Sequence, residues 1–175
     1  MHDFVGLGFD LAFKYRMPAL ILSDGVIGQM MEKVVVSDPK PRWTDAEIQK
    51  ISGTWASTGK TKDRERHIVT SLNLESEKQE LHNQNMQAKY RNIEANEVRF
   101  EEFQTDDAEY IYVAYGSSAR ICQKSVELAR AKGYKVGLLR PITVWPYPSV
   151  RIGELANRVK GMLSVEMSAG QMVYD

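Results

Sequence analysis

Hydrophobic positions along this chain fall into three regimes, and only the last has a repeating layout. Phe4, Leu7, Leu11 and Tyr15 recur at helical spacing and predict a helix from Phe4 to Arg16. Gly6 and Gly8 inside it lower the intrinsic helicity and suit a backbone packed close to a neighbour. Pro18 stops that helix, and Ala19-Leu20-Ile21-Leu22 is a continuous apolar run of the kind that buried parallel strands show. Ser23-Asp24-Gly25 reads as a turn, after which apolar residues resume from Val26 to Val35. Helix, strand and turn make one fragment of an α/β layer, whose lone strand finds no partner in this stretch.

The pattern loosens from about Ser37 to Asp107. Pro39 and Pro41 open the stretch, Trp43, Gly53, Trp55 and Gly59 stand among polar residues without a clear period, and Thr61 to Arg66 reads as a solvated charged loop. Glu75 to Phe103 then predicts a long polar helix. Leu81, Met86, Tyr90, Ile93, Val98 and Phe100 trace a narrow apolar stripe on it. A helix this polar docks along one edge only. It reads as a solvated connecting arm in preference to a partner-binding helix.

In the last third the alternation is clear. Tyr110 to Tyr115 is β-branched and aromatic and predicts a strand, followed by the turn Gly116-Ser117-Ser118 and a helix to about Lys132. Cys122, Ser125, Val126 and Ala129 share one face of that helix, and Gly133 ends it in the C′ manner. Tyr134 to Leu139 predicts a second strand, Ile152, Leu155, Ala156 and Val159 the apolar face of a short helix, and Met162 to Met167 a third strand. Two consecutive βαβ units with right-handed crossovers make these three strands parallel. Both ends look cut: the chain starts inside a helical pattern and stops just as Gly170-Gln171-Met172-Val173 begins another.

Composition narrows the function classes. The formal net charge is zero, so no global field draws nucleic acid or an anionic membrane. No apolar run approaches the about 18 residues that cross a bilayer, and the start lacks the basic and apolar regions of a signal peptide. A single cysteine, Cys122, excludes an internal disulfide framework and a cluster held on this chain's own thiolates, which takes about four. Both fit a cytoplasmic setting. His2, His67 and His82 are scattered without metal-ligand spacing, so no metal site is expected.

Four motifs carry candidate chemistry. Gly116, Ser117, Ser118 and Arg120 sit where a strand gives way to a helix, so backbone N–H groups, two hydroxyls and a cation could hold an anion. Ser117 or Ser118 acting as a helix cap is the favoured alternative. One glycine is not a dinucleotide fingerprint. Asp24, in Ser23-Asp24-Gly25, stands where a Mg²⁺ ligand beside a diphosphate would be. The residue before it is Ser rather than Gly and Asn73 lies too far on, so a tight turn is preferred. Trp145 and Tyr147, in the stiff Arg140–Pro148 loop, either anchor a partner chain or cover this domain's own sheet. Glu166 could serve as an acid or base but reads as a structural hydrogen-bond acceptor, and Cys122 as a small core residue.

Several strings together resemble the alpha subunits of 2-oxoacid:ferredoxin oxidoreductases, in their C-terminal half. Leu20-Ile21-Leu22-Ser23-Asp24-Gly25-Val26-Ile27-Gly28-Gln29-Met30-Met31-Glu32 is similar to the segment closing the pyrimidine-type domain of those subunits. Val113 to Arg120, Gly137 to Thr143, and Val165-Glu166-Met167 with Gly170-Gln171-Met172 are similar to the following transketolase C-terminal-like domain. The Gly28-Gln29-Met30-Met31-Glu32 string and the Trp55…Thr58-Gly59 pairing are closest to the branched-chain, 2-oxoisovalerate type.

The resemblance implies an α/β fold: a three-layer, parallel-sheet transketolase C-terminal-like domain over 108–175, truncated, preceded by the last helix and strand of a thiamine-fold domain over 1–36. Residues 37–107 link them through the long polar helix. It implies a parent complex that decarboxylates a 2-oxoacid oxidatively with thiamine diphosphate, Mg²⁺, iron–sulfur clusters and CoA, and passes electrons to ferredoxin. Beta and gamma/delta subunits are the implied partners, in a homo- or hetero-oligomer. The family's Pro-Ile-Thr-Pro-like motif is absent, so no residue here inherits a catalytic role, no cofactor is expected on this piece alone, and scaffold and assembly are its expected part. The competing expectation is a stand-alone α/β module that binds an anionic ligand at the Gly116–Arg120 turn.

Overall fold

The computed structural model describes every residue except Ser37, Lys40, Arg42, Thr58 and Thr61. The part of the Trp55…Thr58-Gly59 pairing that rests on Thr58 therefore lies outside the described residues, as do the expected segment starts at Ser37 and Thr61. The chain forms two compact units, one made of residues 1–32 and 86–175, the other of residues 33–85.

The first unit opens with α1 (His2–Tyr15), close to the helix its apolar spacing predicts. The run after it departs from expectation. Residues 19–22 form no strand, and Leu20 and Leu22 are 79% and 69% exposed. A strand needs a neighbour for its N–H and C=O groups, and no described strand pairs with this run. The backbone instead leads into the single turn α2 (Gly25–Gln29), capped by Asp24, whose side chain accepts from the Ile27 N–H.

In the second unit α3 (Asp45–Ser52) occupies a stretch without apolar period. Its start is a capping box. The Thr44 hydroxyl accepts from the Glu47 N–H at 3.3 Å, and the Thr44 N–H donates to the Glu47 carboxylate at 2.7 Å. The Thr-x-x-Glu spacing was the available signal. α4 (Ser76–Asn96) is the long polar helix, and Ile93 is its one buried residue. It stops seven residues short of the expected Phe103.

β1 (Phe100–Phe103) follows, then β2 (Tyr110–Ala114), α5 (Gly116–Ala131), β3 (Val136–Pro141), α6 (Ser149–Ala156), β4 (Gly161–Val165) and a 3₁₀ turn (Met172–Tyr174). The sheet has four strands in the order β1-β3-β2-β4. β2 runs parallel to both β3 and β4, as the two βαβ units require, while β1 pairs antiparallel with β3 at the edge. The three-stranded expectation thus gains a fourth strand cut from what read as helix.

Alternation along the strands splits the core into two faces. Tyr112, Ala114, Val136 and Leu138 meet Ala119, Cys122 and Val126 of α5. Ile111, Val113 and Leu139 meet Leu155 of α6 and Met172. Two helical layers therefore sandwich the sheet, the three-layer α/β arrangement expected for this region. Gly133 ends α5 with φ +88°, the left-handed C′ position. Gly137 is required for another reason: a Cβ there would lie 2.7 Å from the Gln104 carbonyl oxygen and 3.1 Å from Thr105 Cα.

Candidate functional site

Because β2, β3 and β4 are mutually parallel, their carboxyl ends share one edge of the sheet, where open α/β folds place their ligands. Apart from Asp24, in the segment after α1, and Cys122, inside α5, the site residues expected from the sequence lie in segments leaving that edge. Gly116–Arg120 follows β2, the loop with Trp145 and Tyr147 follows β3, and Glu166 follows β4.

At the first of these, neither serine caps α5. The helix begins at Gly116 with Tyr115 as N-cap, and no side chain makes the capping bond. Ser117 Oγ instead donates to the Asp24 carboxylate, which Ser117 first of all, and then the Ile27 N–H, holds below the usual carboxylate range. Three residues on, Arg120 pairs with Glu32 at 3.1 Å, with both side chains more than half exposed. An exposed pair of this kind adds little stability. The four candidate anion ligands are thus not an open cradle: two carboxylates from the segment that follows α1 already lie against Ser117 and Arg120. Sequence reasoning placed Asp24 in a tight turn after a strand; it is instead the N-cap of α2 with no strand before it, and its reach to a residue 93 positions away carried no local signal.

The loop after β3 divides its two aromatics. Tyr147 packs against the α6-side core, and burial pushes its phenol pKa up. It covers the sheet of its own domain. Trp145 is 51% exposed and meets Tyr90 of α4 edge-to-face, with ring centroids 5.7 Å apart.

Close by is a group that the sequence reading missed. Glu97 is only 4% exposed. Its carboxylate accepts from Lys14 Nζ at 2.6 Å and Tyr15 Oη at 2.7 Å, and pairs with Arg99 Nη1 at 3.0 Å. The Lys14 ammonium first of all, then the Tyr15 hydroxyl, hold it ionised, down to a pKa of about 2. A buried carboxylate with three donors satisfies the demand that buried charge be paired. The available clue was a glutamate directly before the apolar Val98 and Phe100, four residues after Ile93.

Glu166 is a structural acceptor, as read. Its carboxylate receives Ser168 Oγ at 2.6 Å and the N–H groups of Gln171, Met172 and Val173 at 2.9–3.3 Å, and is pushed down to about 2, with Ser168 the largest cause. It thereby ties the 3₁₀ turn to the end of β4. Cys122 is 4% exposed in the α5-side core, where desolvation raises its thiol pKa. Burial and a raised pKa are the setting of a core thiol. Among the described residues no three His, Cys, Asp or Glu side chains converge as a metal site would need.

Residues 108–175 match the family model of the pyruvate:ferredoxin oxidoreductase core domain II. Over its whole length the chain is 45% identical to the ketoisovalerate oxidoreductase subunit VorB of Methanothermobacter thermautotrophicus, covering 48% of that protein. It is 29% identical over 99% of its length to the 2-oxoglutarate synthase subunit KorA of Methanothermobacter marburgensis, covering 51% of it. The chain thus spans about half the length of the curated relatives it matches. Among solved structures, 2-oxoglutarate:ferredoxin oxidoreductase from Magnetococcus marinus, with 2-oxoglutarate, coenzyme A and succinyl-CoA bound, matches 58% of this chain and 18% of its own. The TM-score is 0.53 at 19% identity, a likeness of fold.

Proposed function

We propose that the chain, as part of a subunit of a 2-oxoacid:ferredoxin oxidoreductase, serves in the alpha subunit of a branched-chain type acting on 2-oxoisovalerate. The observation that carries the substrate class is the contrast in similarity: 45% identity to a ketoisovalerate oxidoreductase subunit against 29% to a 2-oxoglutarate synthase subunit, each over nearly the whole chain.

Within that subunit the proposed role is scaffold and assembly. Residues 1–36 close a thiamine-fold domain, residues 37–107 connect, and residues 108–175 form the transketolase C-terminal-like domain. The side chains at the carboxyl edge support this division of labour, because they are spent on one another: Ser117 on Asp24, Arg120 on Glu32, Glu166 on the 3₁₀ turn. The donor set of this chain does not fit the complex's inorganic groups. One buried thiol cannot hold an iron–sulfur cluster, and the Asp24 carboxylate caps a helix and binds Ser117 instead of facing a diphosphate. In this reading the clusters and Mg²⁺ sit on the beta and gamma/delta partners or on the rest of the subunit, thiamine diphosphate and CoA are proposed to bind there as well, and ferredoxin is reached through the complex. No helix among the described residues is long and apolar enough to cross a membrane, and the cytoplasm is the proposed location.

The test is turnover by the assembled complex with viologen or ferredoxin as acceptor and CoA present. A kcat/KM for 2-oxoisovalerate at least tenfold above that for 2-oxoglutarate is expected. A preference for 2-oxoglutarate overturns the substrate class, and no acceptor reduction with any 2-oxoacid overturns the activity.

A further inference from the structure

Beside α1 runs an apolar cleft of about 420 Å³ that the proposed function does not use. Leu7 and Leu11 of α1, Leu20 and Leu22 of the segment after it, and Ile142 and Trp145 of the loop after β3 form its walls. All belong to the first unit. Its volume falls in the range of small-molecule sites, which are mostly apolar with a few polar groups that fix orientation.

Two charged residues line this cleft, Glu97 and Arg99. Glu97 is an acceptor already engaged by Lys14, Tyr15 and Arg99, and its negative charge is met in place. Arg99 is different. Its Nη1 donates to the Glu97 carbonyl oxygen at 3.0 Å and faces the Glu97 carboxylate at 3.0 Å, while Nε and Nη2 hold no protein partner among the described residues. Those two nitrogens form the side-on edge of the guanidinium, the fork that receives a carboxylate with two parallel bonds. Charge agrees with shape: Lys14 and Arg99 against Glu97 leave one positive charge beside an otherwise apolar wall. A single anionic head on a hydrocarbon body complements both.

We propose that this cleft binds a small aliphatic monocarboxylate, its carbon skeleton against the leucines and Trp145 and its carboxylate on the free edge of Arg99. The proposal concerns binding to this chain and stands apart from which 2-oxoacid the complex turns over.

Isothermal titration of the full 175-residue chain tests it with three probes of one skeleton: 4-methylpentanoate, 4-methyl-2-oxopentanoate and 4-methylpentanamide. Saturable one-to-one binding of at least one acid is expected, at least tenfold tighter than the amide, with a change in Trp145 emission. Tighter binding of the oxo acid marks a 2-oxoacid as the source of the ligand, and tighter binding of the plain acid marks a simple fatty acid. Arg99→Gln should lower the acid's affinity to that of the amide, and Arg99→Lys, which keeps charge but not the fork, should fall between. Absence of saturable heat with both acids, equal affinity for acid and amide, or unchanged affinity in Arg99→Gln overturns the proposal. So does a concentration-dependent dimer whose formation quenches Trp145 and abolishes acid binding. Should Arg99→Gln fail to fold, the comparison of acid with amide on the unsubstituted chain decides alone.

Discussion

At the scale of single residues, Glu97 shows how one buried carboxylate ties a helix to a sheet. Its three donors come from α1 on one side and from Arg99, next to β1, on the other. Replacing it with Gln removes the charge that two cations face and leaves the Tyr15 hydroxyl a weaker acceptor, a loss of roughly 1–3 kcal/mol. The pH dependence gives the sharper test. The folded pKa of about 2 lies below the ordinary 4.5, so the network adds stability that is complete above about pH 4.5 and is lost as pH falls toward 2. Glu166 titrates over the same window for its own reasons, so the unsubstituted chain should lose melting temperature through both groups. Glu97→Gln should flatten that decline between about pH 5 and pH 2.5 and leave the part due to Glu166 and to the other depressed carboxylates, Asp24, Glu102, Asp107 and Glu109 among them. A decline as steep as that of the unsubstituted chain would show that Glu97 is not the linked group.

Elements follow a different logic, because a helix layer is held by the residues it buries. Leu155 of α6 is fully buried against Ile111, Val113 and Leu139, with Ile152 and Val159 packed around it. Leu155→Ala should cost about 2–5 kcal/mol through lost transfer energy and the cavity left behind. Chemical denaturation with fluorescence and circular dichroism measures it, and a loss below about 1 kcal/mol would mean that α6 does not anchor this face. Leu155 was legible as core from spacing alone, as were β2, β3, β4 and α5, because each carries a period of two or of 3.6 with a glycine or proline at its end. β1 was not. Phe100-Glu101-Glu102-Phe103 is four residues long, and its phenylalanines continue the stripe of α4, so sequence gives no reason to stop the helix at Asn96. The opposite error befell Ala19–Leu22, whose apolar run has a strand's composition but no described neighbour to pair with. At the candidate site the sequence located the strand-to-helix junction after β2 but not what its residues bind. Ser117 stood where a cap or a ligand group would stand, and its actual partner Asp24 is 93 residues away.

The whole molecule divides its stability unevenly. The unit of residues 1–32 and 86–175 holds both core clusters, with Ile111, Ala114, Val126, Leu138, Leu139 and Leu155 at 2% exposure or less. In the unit of residues 33–85 the one helix among the described residues that lies wholly inside it, α3, buries only Ser52, while its Ile48 and Ile51 are 45% and 40% exposed. α3 therefore rests on its capping box and on helix propensity, which in eight residues fall short of what a free helix needs. Local opening free energies scale with buried apolar contact, so the two units should exchange amide hydrogens on separate scales. Amides of β2, β3 and α5 should exchange at least a thousandfold more slowly than those of residues 48–52, and Thr44→Ala should speed the latter without touching the former. Equal protection in the two sets would mean that α3 folds with the sheet as one cooperative body. The expected inequality agrees with the proposed division of roles, in which the α/β layers provide the rigid support and the connecting stretch draws its order from what it packs against in the assembled enzyme.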